Sequence, residues 1–354
     1  MTFSALPRRS ALGLLAAAPV MIGARGLARA APTSPPRPPL RKPRALKAGD
    51  TLGLVAPAGF IADRFGLEEI MEAVRAMGLE PKPAAHMLDR NGYLAGSDKD
   101  RADDLMKMFR DDSVSAIMSV RGGWGCARIL PLLDYAEIAR HPKIFCGFSD
   151  NTALHLAFAA HTGVPSVHGP NASASWPQDA WDAFHALAFE GATPTYKVPA
   201  NVGTSLSAQT NPVRTFHPGT ARGRLLGGNL TVLSALVGTP YLPDFTGAIL
   251  FIEDTNESEY RIDRMLTQLS LAGIFDKVAG IVFGQCTNCV NPDGGWGNFT
   301  IYEVLDRQFA SLGKPAFQGA AIGHIAHQDS IPVGIPAEID SIAGTIRVLE
   351  PLTA

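Results

Sequence analysis

"KIFCGFSDNTALHLAFAA" runs from Lys143 to Ala160 and places one hydroxyl between a strand and a helix. Ile144–Cys146 is a short apolar run, Gly147 punctuates it, and the residues from Asn151 onward repeat with helical spacing until Gly163. In α/β proteins the carboxyl ends of the strands face the ligand crevice. Ser149 therefore has two readings, a nucleophile or a turn residue that caps the helix.

The neighbouring segments repeat the pattern. "TLGLVAPAG" (51–59) and "VSAIMSV" (114–120) read as strands, and "FGLEEIMEAVRAMG" (65–78) and "DKDRADDLMKMFRD" (98–111) as helices. Such alternation predicts a parallel sheet covered by helices, a Rossmann-like α/β domain over residues 46–172. Between 173 and 217 the chain is rich in Ser, Asn, Pro and Thr, with one helical candidate at "AWDAFHALAF", and it reads as a linker. A second α/β region over 218–354 follows, with strands "GAILFIED", "VAGIVFGQC" and "FQGAAIGH" and helices "EYRIDRMLTQLSLAG" and "IYEVLDRQFASLG". "AEIDSIAGTIRVLE" (337–350) predicts a terminal hairpin turning at Ala343-Gly344.

The N-terminus reads as an address. Arg8-Arg9, an apolar run broken by Pro19, and Ala28-Arg29-Ala30 before Ala31 make residues 1–30 a twin-arginine signal peptide. The apolar run is shorter than the about 20 residues a bilayer span needs, so no stable membrane insertion is expected after its removal. Pro-rich residues 31–45 read as a tether, and the mature chain is placed in the periplasm. The formal net charge is −2 and becomes −6 without the first thirty residues, which argues against a nucleic-acid partner. The four cysteines are too few for a disulfide framework. Cys286 and Cys289 lack the ligands that would complete a zinc site, and plain packing or a local bridge is favoured over redox chemistry.

Three strand ends carry reactive side chains: Ser149, the pair Glu253-Asp254, and His324. A hydroxyl nucleophile needs a base in hydrogen-bond reach, and the base needs a carboxylate to orient it. Alternation along "AILFIED" sends Glu253 and Asp254 to opposite faces, so only one of them can serve, and spacing alone does not say which. The "RGGWG" turn after the second strand would aim backbone N–H groups at an anion, as an acyl-transfer site requires, although a simple tight turn has the same sequence. Arg121 could meet a substrate carboxylate or a structural partner. His155, His161 and His327 read as structural or surface residues.

Taken together, "RGGWG", "GFSD", "FIEDTNESEYRIDRMLTQL" and "IGHIAHQDSIPVGIP", in that order, resemble the murein LD-carboxypeptidase family of serine peptidases, which also holds the microcin C self-immunity peptidases. The resemblance covers about Leu46 to Glu350. It implies an N-terminal domain like that of class I glutamine amidotransferases and a C-terminal swivelling β/α domain. It also implies a Ser149–Glu253–His324 triad, with oxyanion donors at the backbone N–H of Gly123 and Asp150. Arg121 and Trp124 become substrate-binding candidates, and no metal or cofactor is implied. The activity it implies is removal of the terminal D-Ala from murein tetrapeptide through an acyl-enzyme. Hydrolysis of peptide–nucleotide conjugates and an inactive two-domain binding protein remain the alternatives, and a homodimer stays open. The family turn usually has Tyr where Trp124 stands, and an apolar residue where Asn171 stands.

Overall fold

In the computed structural model, described over residues 37–198, 213–290 and 298–354, the first half of the chain builds β1 (Thr51–Val55), α1 (Arg64–Ala76), β2 (Glu80–Pro83), α2 (Asp98–Arg110), β3 (Val114–Ser119), α3 (Cys126–Ile129), α4 (Tyr135–Arg140), β4 (Ile144–Gly147), α5 (Thr152–His161) and β5 (Ser166–His168). The inner strands β1, β3 and β4 are largely apolar and buried, whereas β2, at the sheet edge, is the polar run Glu80–Pro83. The order β5-β4-β3-β1-β2 is parallel throughout, which brings the carboxyl ends of β1, β3 and β4 to one edge.

The segment expected to be an irregular linker is more ordered than its composition suggests. It holds α6 (Gln178–Ala188), β6 (Thr195–Lys197) and β7 (Arg214–His217). Helix α6 follows the apolar spacing of "AWDAFHALAF" and buries Phe184 and Leu187. The short strands β6 and β7 gain their pairing from the second sheet, a tertiary cause that local composition does not carry. The predicted tether is also corrected over residues 37–45. Arg41 N–H donates to Gly163 O at 2.9 Å, and Arg44 meets Asp50 at 2.7 Å and Ser115 at 2.5 Å. The segment expected to be a signal peptide (residues 1–30) and residues 31–36 lie outside the described residues.

The second half supplies β8 (Thr220–Asn229), α7 (Leu230–Ala235), β9 (Ile249–Thr255), α8 (Glu259–Leu271), α9 (Ile274–Lys277), β10 (Gly280–Thr287), α10 (Ile301–Phe309), β11 (Ala316–Gln318), β12 (Ile331–Val333), β13 (Pro336–Asp340) and β14 (Thr345–Val348). Its sheet runs β6-β14-β13-β8-β9-β10-β11-β7, parallel from β8 to β11 and antiparallel at both flanks. β13 and β14 form the expected hairpin, with Gly344 at φ 62° closing the turn. The strand predicted over "FQGAAIGH" stops at Gln318, so His324 lies in the loop that follows. That loop ends in β12, which leaves the second sheet and pairs antiparallel with β5 of the first, Ile331 opposite His168. The crossing strand ties the loop bearing His324 to the sheet bearing Ser149.

Candidate active site

The turn after β4 is strained. Ser149 has φ 64°, a left-handed conformation that costs a non-glycine residue about 1–2 kcal/mol. Ser149–Asn151 forms a 3-10 turn that runs into α5, so the first N–H groups of that turn have no partner within the helix. Side chains hold the turn in place. Asn171 Oδ1 accepts from Phe148 N at 3.2 Å and from Asn151 Nδ2 at 3.1 Å, and Asn151 also donates to Phe148 O at 2.9 Å. Buried His155 spans the gap beneath, donating from Nε2 to Gly147 O and accepting at Nδ1 from Ser166, both at 2.8 Å. Burial lowers its imidazole to about 4, so it stays neutral.

His324 reaches Ser149 from the other sheet. Ser149 Oγ–H donates to His324 Nε2 at 3.0 Å, and His324 Nδ1–H donates to Glu253 Oε2 at 2.8 Å. Glu253 is fully buried, whereas the imidazole keeps 22% of its side-chain surface open. Gly323 makes this approach possible. A Cβ there would stand 2.9 Å from Glu253 Oε2 and 3.0 Å from Glu253 Cβ. Phe148 packs on the imidazole with ring centroids 4.8 Å apart, and Thr287 Oγ1 donates to His324 O at 3.0 Å. Thr287 sits inside the Cys286–Cys289 bridge, so the C-x-x-C motif forms a local clasp.

Asp254 faces away from His324. Its carboxylate accepts from Asn229 Nδ2 at 3.1 Å, Thr255 N at 2.8 Å, Thr231 N at 2.9 Å and Thr231 Oγ1 at 2.8 Å. Burial pushes it up to about 6 against those donors. It therefore joins β9 to the start of α7 and takes no part in the line of Ser149, His324 and Glu253.

The "RGGWG" loop lies against the nucleophile. A Cβ at Gly122 would fall 3.0 Å from Ser149 Oγ and 3.4 Å from Asp150 N, so the peptide that carries the Gly123 N–H runs beside the hydroxyl. Two buried side chains anchor this loop. Asp150 Oδ2 accepts from Cys126 N at 2.7 Å, and Arg101 donates to Gly125 O at 2.9 Å and to Pro57 O. Burial holds the Asp150 carboxyl above its usual range. Arg101, Asn151 and Asn171 went unnoticed as functional residues in the sequence. Each stands among polar or turn residues, Arg101 in the charged run 98–104, Asn151 after Ser149-Asp150 and Asn171 in "HGPNAS", so nothing local marks it as buried.

A cavity of 590 Å³ opens at Ser149 and His324 and takes in Arg121, Gly122, Gly123 and one face of α1. Arg121 lies on its wall, with Nη1 donating to Phe60 O at 3.2 Å. Trp124 is 43% exposed and does not line the cavity, so the structure separates the two substrate-binding candidates. His327 is exposed and pairs with Asp179 at 2.8 Å, as a surface residue does. Among the described residues, one group with metal-ligand spacing is His86, Asp89 and Asp100, but Asp104 already takes the His86 ring at 2.9 Å. No helix among the described residues is long and apolar enough to cross a membrane.

Comparison with known proteins gives this geometry a lineage. The model of the LD-carboxypeptidase N-terminal domain matches residues 52–169, and that of the LD-carboxypeptidase C-terminal domain matches residues 222–339. A probable murein peptide carboxypeptidase of Bacillus subtilis is 37% identical over 86% of this chain and 93% of its own. The chain belongs to the LD-carboxypeptidase family. A murein tetrapeptide carboxypeptidase of Pseudomonas aeruginosa is a further relative in that family, 30% identical over 82% of this chain and 92% of its own. A muramoyltetrapeptide carboxypeptidase of Oxalobacter formigenes has the same fold, with a TM-score of 0.72 and 28% identity over 84% of this chain and 97% of its own. The α/β fold expected from strand–helix alternation is the fold of this LD-carboxypeptidase family.

Proposed function

We propose that the protein is a serine LD-carboxypeptidase that removes the terminal D-Ala of murein tetrapeptide by cleaving the L,D bond after the diamino acid. The observation that carries this reading is the hydrogen-bonded line Ser149–His324–Glu253 at the mouth of the cavity, in a chain of this family. Ser149 Oγ gives its proton to His324 Nε2 as it attacks the carbonyl carbon. Glu253 stabilises the imidazolium that forms, because its carboxylate already holds Nδ1–H. The backbone N–H groups of Gly123 and Asp150 are assigned to the oxyanion. As the tetrahedral intermediate collapses, the C–N bond breaks and the Nε2 proton passes to the amine of D-Ala. Water then attacks the ester and its proton goes to His324; as the ester C–O bond breaks, that proton passes to Ser149 Oγ, and the tripeptide leaves with a free carboxylate. Arg121, on the cavity wall with no carboxylate within 4.0 Å among the described residues, is assigned to the terminal carboxylate of the substrate.

The test is mass spectrometry of murein tetrapeptide incubated with the purified protein. Release of alanine and tripeptide by the wild type, and not by Ser149→Ala, is the expected result. An intact tetrapeptide under conditions where the fold is verified refutes it. The reading also places the reaction in the periplasm after export by the twin-arginine route, on the strength of Arg8-Arg9 and Ala28-Arg29-Ala30. A lysine pair at 8 and 9 should leave the precursor in the cytoplasm, and mature protein still found in the periplasm would refute that route.

A further inference from the structure

The cavity holds two charges that the reaction chemistry does not use up. One face of α1, made of Gly66, Glu69, Ile70 and Ala73, lines the same space as Ser149 and His324. Among the described residues of that lining, Glu69 is the one acid and Arg121 the one permanent cation. Among the described residues Glu69 has no Lys, Arg or His nitrogen within 4.0 Å, and Arg121 has no carboxylate within that distance, including that of Glu69. The other lining residues on α1 are apolar or lack a side chain.

The wall joining these charges is braced. Gly59 N–H donates to Gly122 O at 3.2 Å, Arg90 lies 4.1 Å over the Phe60 ring, and Arg90 donates to Ala62 O at 2.7 Å. These ties fix the turn that leads into α1, and so fix where Glu69 stands relative to the nucleophile. A cavity lined by one anion and one cation, neither in an ion pair among the described residues, suits a ligand with a free carboxylate and a free ammonium group held apart.

We propose that Glu69 is a specificity-determining residue that takes the side-chain ammonium of the diamino acid while Arg121 takes the terminal carboxylate. This rests on the carboxypeptidase reading above. The diamino acid lies on the acyl side of the bond attacked by Ser149, so its side chain projects into the cavity while the D-Ala carboxylate lies on the leaving-group side. A solvent-facing ion pair contributes up to about 1 kcal/mol, which is about fivefold in binding.

The test compares tetrapeptides that carry lysine, Nε-acetyl-lysine and Nε-succinyl-lysine at the third position. For the wild type, acetylation should raise KM about fivefold with kcat little changed, and added salt should raise KM only for the lysine peptide. Glu69→Gln should raise KM for the lysine peptide by the same factor and leave the acetylated peptide unchanged. Glu69→Lys should prefer the succinylated peptide, whose side chain is anionic, over the lysine peptide. A wild type that cleaves lysine and acetyl-lysine peptides with equal KM overturns the assignment of Glu69 and leaves the carboxypeptidase reading standing. A Glu69→Gln variant that weakens both peptides equally also overturns it. No cleavage of the three peptides by a folded wild type that does cleave murein tetrapeptide overturns the assignment of Glu69 alone, and no cleavage of murein tetrapeptide either overturns both readings.

Discussion

Glu253→Gln and Asp254→Asn are isosteric changes at adjacent positions on β9, and the structure predicts that they damage different properties. Glu253 has one oxygen on His324 Nδ1 and a second, Oε1, buried without a partner. A glutamine can therefore rotate its amide N–H2 toward Nδ1, which leaves Nε2 protonated and unable to accept from Ser149. Even the productive rotamer lacks the charge that stabilises the imidazolium. The same acid-to-amide change at a serine-hydrolase triad lowers kcat by about 10⁴, or about 5 kcal/mol in the barrier. Asp254 accepts four hydrogen bonds, two at each oxygen. Asparagine keeps one accepting oxygen, so its N–H2 faces either the Thr231 donors or those of Asn229 and Thr255. A side-chain partner can turn to accept, but one backbone N–H is left buried and unpaired, at about 1–3 kcal/mol. Asp254→Asn should thus melt a few degrees lower and keep most of its kcat, while Glu253→Gln should melt near the wild type and turn over about 10³–10⁴ times more slowly. Steady-state kinetics on murein tetrapeptide and calorimetry on the same samples measure both. Equal kcat losses in two folded variants, or the reverse ranking, would refute the assignment of the triad acid.

Ser149→Gly and Ser149→Ala should both be inactive, but the glycine variant should be the more stable by about 1 kcal/mol because it relieves the left-handed strain at φ 64°; chemical denaturation distinguishes them, and equal midpoints would refute the strain argument. Gly323→Ala places a methyl group 2.9 Å from Glu253 Oε2 at a φ of 124°, so activity should fall sharply, with kcat carrying the loss; wild-type kcat in the purified variant would refute it. Asp329 is raised to about 7 by burial and then by Asp179, against about 3.9 in the unfolded chain. The folded state therefore holds a proton that the unfolded chain has lost, and this contribution is full below about pH 4 and lost as pH rises through about 7. Asp329→Asn should accordingly gain stability relative to the wild type between those limits, by up to roughly 4 kcal/mol, and a pH-independent difference in calorimetry would refute it.

Strand–helix alternation, with nearly continuous apolar runs such as Ile249–Ile252, was enough to specify a parallel α/β architecture, because a strand buried on both faces must be apolar throughout. The strand-to-helix junction at "GFSD" and the glycines of "RGGWG" were legible for the same reason: turns with unusual backbone geometry demand particular residues. Spacing alone left Glu253 and Asp254 unresolved. Only the packed β9 shows which side chain meets His324 and which is consumed by Asn229, Thr231 and Thr255. The strands inside 173–217 were hidden because their stability comes from pairing at the edges of a sheet made elsewhere in the chain. The contact that unites the site was hidden too. β12 is three residues long and carries no local signature of its destination. Its partner β5 lies some 160 positions earlier, and the pairing emerges only when the whole chain closes. The sequence by itself determined the elements and the reactive side chains they carry, since periodicity and turn chemistry are local. The tertiary structure decided which of those side chains meet, because a 3.0 Å contact between Ser149 and His324 depends on non-local packing of two sheets.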